Sequence, residues 1–123
     1  MGTSPRLTAI ELHSADVHGL AAFYRDVLGI DLGSGDDEET HFEATWGEWG
    51  GEAFFFFAVQ PIGPTGRETT GAQVGFEVQD VHAVHDRAVA AGATVVEPPT
   101  ARPWGTAATY LDPAGNLVQL TQG

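Results

Sequence analysis

Asp16-Val17-His18 indicates how the chain is organised, because the same three residues recur as Asp80-Val81-His82, 64 positions later. The displacement also aligns apolar residues that precede the two stretches, such as Ile10 and Val74. It is about half the length of the 123-residue chain. A single displacement of this size predicts the duplication of one structural unit rather than an array of many short repeats.

An alternation of apolar and other residues precedes each copy of the stretch and predicts a strand with one buried face. In the first unit Ile10 and Leu12 would lie on the buried face. The opposite face would carry Ala9, Glu11 and His13 in the first unit, and Gln73, Gly75 and Glu77 in the second. Each unit therefore begins with a strand that has one apolar and one largely polar face.

Asp16 and Asp80 predict the start of a helix in each unit, since an aspartate N-cap accepts hydrogen bonds from the unpaired amides of the first turn. Apolar residues at helical spacing follow in both units. The helices would end before Gly29 and Gly92, which suit a left-handed C-terminal residue. Three short strands are predicted after each helix, at 30–33, 40–46 and 53–59 in the first unit and at 94–97, 106–111 and 117–121 in the second.

The order of strand, helix and three strands thus occurs twice, which predicts an α+β fold. We expect residues 1–123 to form a single domain. It would comprise a first βαβββ module at 6–59, a linker at 60–71 and a second βαβββ module at 72–122. The linker is predicted because its first half is rich in proline and glycine, which break regular structure.

The composition argues against several classes of function. Seventeen acidic residues against five basic ones give a formal net charge of -12, which would repel a phosphate backbone, so no nucleic-acid partner is expected. The absence of cysteine removes disulfides and thiolate-bound zinc. No apolar run is long enough to span a membrane, and Met1-Gly2-Thr3-Ser4-Pro5 lacks a signal-peptide pattern. We therefore expect no membrane partner and a cytoplasmic location.

Two motifs carry a resemblance to a known family. Phe23-Tyr24-Arg25-Asp26-Val27-Leu28-Gly29 and the turn Asp112-Pro113-Ala114-Gly115-Asn116 resemble signature segments of the glyoxalase/bleomycin-resistance protein/dioxygenase family of the vicinal oxygen chelate superfamily. The resemblance covers nearly the whole chain and implies that the two modules form a cup-shaped sheet. It implies no single activity, since the family includes metal-dependent isomerases, epimerases, dioxygenases and thiol transferases as well as proteins that sequester an antibiotic.

The metal site of the family's enzymes does not fit this sequence. Their ligands lie on the first and last strand of each module, and the resemblance places these positions at Ala9, Phe55, Gln73 and Gln119. Ala9 and Phe55 have no lone pair to donate, and two neutral carboxamides do not offset the dehydration of a divalent cation. We therefore expect no metal, no cofactor and no catalytic residue at these positions.

A relocated catalytic site is the alternative. Glu11 and His13 share the predicted face of Ala9, and Glu77 shares that of Gln73. His13 and Glu77 are counterparts in the duplication, so they could act as general base and acid or hold a metal together with Glu11. The chain would then be a lyase, isomerase or dioxygenase of the same superfamily. A charged pair at the rim of the cup is the simpler interpretation.

Aromatic residues concentrate in the segments that would form the cup. Phe55 and Phe57 are predicted to point into it, whereas Phe54 and Phe56 would pack under the helices. Aromatic side chains in a cavity suit stacking on a flat conjugated ligand. The preferred interpretation is a non-catalytic protein that binds an aromatic natural product or antibiotic. The predicted ligand-binding residues are Glu11, His13, Trp46, Trp49, Phe55, Phe57, Gln73, Glu77, Trp104, Tyr110 and Gln119. Because cavities in this family are commonly completed across a two-fold axis, the resemblance also implies a homodimer.

Overall fold

The computed structural model describes residues 5–123, which contain eight strands and two helices. The first module comprises β1 (Ala9–His13), α1 (Val17–Ala22) with a π-helical continuation (Phe23–Val27), β2 (Gly33–Ser34), β3 (Phe42–Trp46) and β4 (Phe55–Gln60). The second comprises β5 (Gln73–Glu77), α2 (Val81–Ala90), β6 (Thr94–Arg102), β7 (Gly105–Leu111) and β8 (Leu117–Gln122). The predicted α+β architecture of two βαβββ modules is confirmed. The prediction that the chain starts without a signal peptide falls almost entirely on residues 1–4, which lie outside the described residues.

The strands form two four-stranded sheets of the same topology. The order is β1-β4-β3-β2 in the first sheet and β5-β8-β7-β6 in the second. In each sheet the first strand of the module pairs in parallel with the last, and the remaining pairs are antiparallel. The strand predicted at 30–33 is displaced to Gly33–Ser34, because Leu32 is buried and its amide bonds the carbonyl of Ile30 in a turn.

Both predicted helix starts are confirmed. The Asp16 carboxylate accepts a hydrogen bond from the amide of Gly19, and the Asp80 carboxylate accepts one from the amide of Ala83, each at 3.0 Å. These bonds satisfy amides that have no partner inside the helix. The same capping residue therefore starts the helix in each module.

A shared core joins the two modules. The face of each sheet that packs toward the helices is called the inner face, and the helix-free face is called the outer face. Tyr24 contacts the inner face of both sheets, with ring centroids 5.1 Å from Phe57 and 5.9 Å from Phe76. Its hydroxyl donates a hydrogen bond to the buried carboxylate of Asp112 at 2.7 Å. The inner faces of the two sheets therefore face each other within one chain.

The phenylalanine side chains of β4 point to the opposite side of the sheet from the one predicted. Trp46 pairs with Phe55 and Ile10 pairs with Phe57, so both phenylalanines lie on the inner face. Phe56 instead pairs with Ala9 on the outer face. The prediction that Phe55 and Phe57 point away from the helices, and that Phe56 packs under them, is therefore wrong.

The length of one loop explains this error. Loop 47–54 between β3 and β4 is longer than turn 112–116 between β7 and β8. The displacement that relates β1 to β5 consequently does not relate β4 to β8, and Phe57 rather than Phe54 is the counterpart of Val118. Since side chains alternate across a sheet, this odd-numbered shift moves every β4 residue to the other face.

No helix in the described part of the chain is long and apolar enough to cross a membrane.

Candidate functional site

A cleft of about 750 Å³ opens between the inner faces of the two sheets. Its apolar lining comes from both modules and includes Ile10 of β1, Phe57 of β4, Val74 and Phe76 of β5, and Val84 of α2. Val74, Val84 and Phe57 are buried core residues. The cleft therefore exists only because the two modules pack together.

Aromatic rings line one side of the cleft. The ring centroid of Trp46 lies 6.3 Å from that of Phe76, and the Phe57 ring meets Phe76 edge to face at 5.3 Å. Phe55 lies beside them on the same face of the first sheet. Trp46 remains 43% exposed, so a large part of its indole is available to a ligand. Such rings offer apolar faces to a flat conjugated molecule.

The remaining lining is charged and predominantly acidic. Asp31, Glu77 and Asp80 are acidic residues of the lining, although the Glu77 side chain belongs with Gln73 and Gly75 to the outer face of β5, and Arg87 is the only basic residue among the described lining residues. Two of these groups are engaged: Asp80 caps α2, and the Arg87 Nε atom donates to the carbonyl of Val27 at 2.6 Å. Within residues 5–123, the Asp31 and Glu77 carboxylates have no hydrogen-bond or ion-pair partner.

A smaller cavity of about 370 Å³, here called the annex, adjoins the cleft. Asp31 and Trp46 line both spaces. The annex is otherwise lined mainly by polar groups of β2 and β3, among them Ser34, Glu43 and Thr45. The apolar cleft and the polar annex thus share Trp46 and Asp31 in their linings.

Only some of the residues predicted to bind a ligand meet in the cleft. Trp46, Phe55, Phe57 and Glu77 line it. Trp49 and Trp104 lie in the turns after β3 and β6 and are largely exposed. Tyr110 is fully buried, with its hydroxyl 2.7 Å from the Nδ1 atom of His85. Burial, aided by the nearby Asp86 charge, raises the pKa of Tyr110.

The other predicted residues lie on the outer faces. Gln73 and Gln119 belong to the outer face of the second sheet, and Glu11 and His13 to that of the first. The Glu11 carboxylate accepts a hydrogen bond from the Gln60 side chain at 2.6 Å. The His13 Nδ1 atom donates to the carbonyl of Pro61 at 2.7 Å.

The alternative catalytic set is dispersed in the described chain. No hydrogen bond or ion pair in residues 5–123 joins Glu11 or His13 to Glu77. The same residues contain no group of three or more His, Asp or Glu side chains placed to hold a metal ion. The three predicted members therefore do not form a site within one chain.

The family's metal positions can now be placed by strand pairing. Gly75 pairs with Gln119 in the second sheet, and Glu11 pairs with Ala58 in the first. Ala58, not Phe55, is therefore the counterpart of Gln119. The four positions hold two methyl groups and two carboxamides, from Ala9, Ala58, Gln73 and Gln119. This donor set does not fit a catalytic divalent cation, which needs imidazole or carboxylate ligands.

Asp31, Phe76 and Arg87 are cleft residues that sequence reasoning missed. The sequence pattern favours a ligand on the face of β5 opposite its apolar residues, so an apolar residue such as Phe76 gives no signal of a binding role. Asp31 lies two residues after Gly29, the predicted helix terminus, but no local pattern marks a residue that contacts another module. The only sequence feature that pointed to the cleft was the apolar face on the first strand of each unit, since two such faces can pack against each other.

The duplicated βαβββ topology with a shared core defines the class of glyoxalase-fold proteins. The chain belongs to the glyoxalase-like domain family, whose model matches residues 9–121. The resemblance to the glyoxalase/bleomycin-resistance/dioxygenase superfamily is therefore confirmed.

Solved structures share this fold across nearly the whole chain. TnmS3, an antibiotic binding protein from Streptomyces sp. CB03234, is 21% identical, with a TM-score of 0.71 and coverage of 99% of this chain and 98% of that one. TioX from Micromonospora sp. ML1 is 24% identical, with a TM-score of 0.71 and coverage of 96% and 98%. A lactoylglutathione lyase from Agrobacterium tumefaciens is 19% identical, with a TM-score of 0.68 and coverage of 99% and 96%. No curated protein sequence matches the chain. These likenesses establish the fold that all four proteins share.

Proposed function

We propose that this protein binds a flat aromatic small molecule in the cleft between its two sheets and does not transform it. The observation that carries the proposal is the cleft itself, which combines about 750 Å³ of space with the rings of Trp46, Phe55 and Phe76. Small-molecule sites have volumes of roughly 300–1,000 Å³ and are mostly apolar with a few polar groups. The cleft has these properties.

The chemistry of the side chains supports binding rather than catalysis. The four positions of the family's metal ligands hold two alanines and two glutamines, so no metal-dependent step is assigned to them. A structural neighbour whose name describes antibiotic binding supports a sequestering role for the fold. The lyase among the neighbours shares that fold as well. Whether a bound compound stays chemically unchanged therefore distinguishes sequestration from catalysis.

We further propose that the protein is a homodimer. In the single chain the outer faces leave Glu11 and Gln73 exposed and Gln119 partly exposed. Apposition of these faces across a two-fold axis would bury them and build the cup that the family resemblance implies. The inner-face cleft belongs to each chain separately, so two equivalent clefts would be present per dimer.

A binding experiment with a neutral flat compound tests the proposed site. Equilibrium dialysis with 1,4-dihydroxyanthraquinone is expected to show one bound molecule per chain. Mass spectrometry of the compound released from the protein should show an unchanged mass. Trp46→Ala should weaken binding about 2- to 12-fold, because an aromatic contact contributes roughly 0.5–1.5 kcal/mol beyond the burial of its area.

Trp104→Ala serves to locate the ligand, since this exposed tryptophan lies outside the cleft. Unchanged affinity in this variant is expected. An equal loss in both tryptophan variants, or conversion of the compound, would contradict binding in the cleft without turnover.

A further inference from the structure

We propose that the ligand carries a protonated amine on a short flexible substituent, with its flat ring in the cleft and its amine beside Asp31 in the annex. This inference rests on the proposed function and specifies the chemical class of its ligand. The geometry behind it is that Asp31 and Trp46 are the two residues common to the cleft and the annex. Both residues border each space, so a ligand that occupies both spaces would contact them at this boundary, here called the passage.

The charges around this passage favour a cation. Asp31 and Glu43 line the annex, where the Glu43 carboxylate lies 3.7 Å from the Nε2 atom of His41, and Asp80 lines the cleft while capping α2. Arg87, the only basic residue among the described lining residues, donates its Nε hydrogen to the carbonyl of Val27, and its one positive charge is outnumbered by the carboxylates. An anionic substituent would meet several carboxylates, whereas an ammonium group would find Asp31 without a partner in the described chain.

The indole ring of Trp46 also favours a positively charged group on the ligand. The indole lines the passage and is 43% exposed. The face of an indole attracts a cation within about 6 Å of the ring centroid. An ammonium group in the passage would therefore lie between a carboxylate and an aromatic face.

The shape of the two cavities indicates how the charge is attached. The cleft is the larger and more apolar space, and the annex is about 370 Å³ with Ser34, Glu43 and Thr45 in its lining. Burial of a charge is unfavourable without partners, so the amine belongs in the polar annex and the apolar ring in the cleft. A short alkyl chain is the simplest connection between them.

Two commercial dyes form a matched pair for testing this inference. Quinacrine and 9-amino-6-chloro-2-methoxyacridine have the same substituted acridine ring, but only quinacrine carries a diethylaminoalkyl chain. Fluorescence titration is expected to show that the wild-type protein binds quinacrine about tenfold more tightly. Raising the salt concentration should reduce this advantage, because exposed charges are screened within about 10 Å at 0.1 M ionic strength.

Asp31→Asn should abolish the advantage of quinacrine and leave the affinity for the chain-free acridine within about twofold. The variant is expected to fold, since Asp31 is exposed and makes no hydrogen bond within residues 5–123. Asp37→Asn is the matched control. It removes the same charge from an exposed residue that lines neither cavity, and it should preserve the tenfold difference.

The outcomes separate the two proposals. Equal wild-type affinity for the two dyes would overturn the amine preference while leaving aromatic binding intact. A tenfold difference that survives in Asp31→Asn, or that disappears equally in Asp37→Asn, would also overturn it. Failure of both dyes and of the neutral anthraquinone to bind would refute the proposed function itself.

Discussion

Tyr24 joins the two modules through one buried hydrogen bond, from its hydroxyl to the carboxylate of Asp112 at 2.7 Å. Asp112 also accepts hydrogen bonds from the amides of Ala114 and Asn116 and from the Asn116 side chain. Tyr24 thus bonds to a turn that is already stabilised by the hydrogen bonds of Asp112 within it. At the residue scale, this contact adds a buried polar link to the apolar core that the two modules share.

Tyr24→Phe should lower the free energy of unfolding by about 1.5–3 kcal/mol, the usual contribution of a hydrogen bond to a charged group. Tyr110→Phe is the matched control, because that buried hydroxyl bonds an imidazole rather than a carboxylate, and its loss should cost only about 0.5–1.5 kcal/mol. Urea denaturation of the two variants measures both values. A smaller loss for Tyr24→Phe than for Tyr110→Phe would show that the Asp112 contact is not a principal link between the modules.

The same tyrosine makes stability dependent on pH in the alkaline range. Burial, together with the charge of Asp112 and its hydrogen bond, raises the pKa of Tyr24 far above its ordinary value of 10.0. Above pH 10 the unfolded chain releases this proton and the folded chain retains it, so alkali stabilises the unfolded state. Between pH 10 and 11, the stability advantage of wild type over Tyr24→Phe should therefore shrink by up to about 1.4 kcal/mol. Chemical denaturation at pH 9, 10 and 11 provides the comparison, and a constant difference would exclude the effect.

At the scale of elements, local signals were sufficient to locate the helices. Asp16 and Asp80 each act within one turn of the chain, so their roles could be predicted without knowledge of distant residues. The facing of β4 could not be predicted in this way, because it depends on the length of loop 47–54. The π-helical continuation of α1 at Phe23–Val27 also had no signal, since the spacing of its apolar residues is compatible with an ordinary helix.

Asp16→Ala should destabilise α1, and with it the protein, by about 1 kcal/mol, since the amide of Gly19 loses its acceptor. Asp16→Asn keeps an oxygen at the same position and should retain most of this stability. Thermal denaturation followed by circular dichroism compares the two variants. Equal melting temperatures for Asp16→Ala and wild type would mean that solvent replaces the cap without loss.

At the scale of the whole molecule, the sequence predicted the two modules but not the space between them. The duplication was visible in the sequence, and so were the apolar faces of the first strands. The cleft, however, combines Asp31 after the first helix with Arg87 of the second and Phe76 of β5. Their proximity results from packing between modules, which no periodicity within one module encodes. The sequence predicts Trp46, Phe55 and Phe57 as site residues that face the cup, whereas all three lie on the inner face.

The proposed dimer leads to a test of the outer faces. Light scattering coupled to size-exclusion chromatography at micromolar concentration should give about twice the mass of the 13.0 kDa chain. Gln119→Glu would place a new carboxylate on the outer face of the second sheet, in a protein whose net charge is already -12. Burying this unpaired charge in the interface is unfavourable, so the variant should shift toward the monomer. His82→Glu adds the same charge to an exposed position on α2 and should remain dimeric. A wild-type protein that elutes as a monomer, or dissociation by both substitutions alike, would show that the outer faces do not pair.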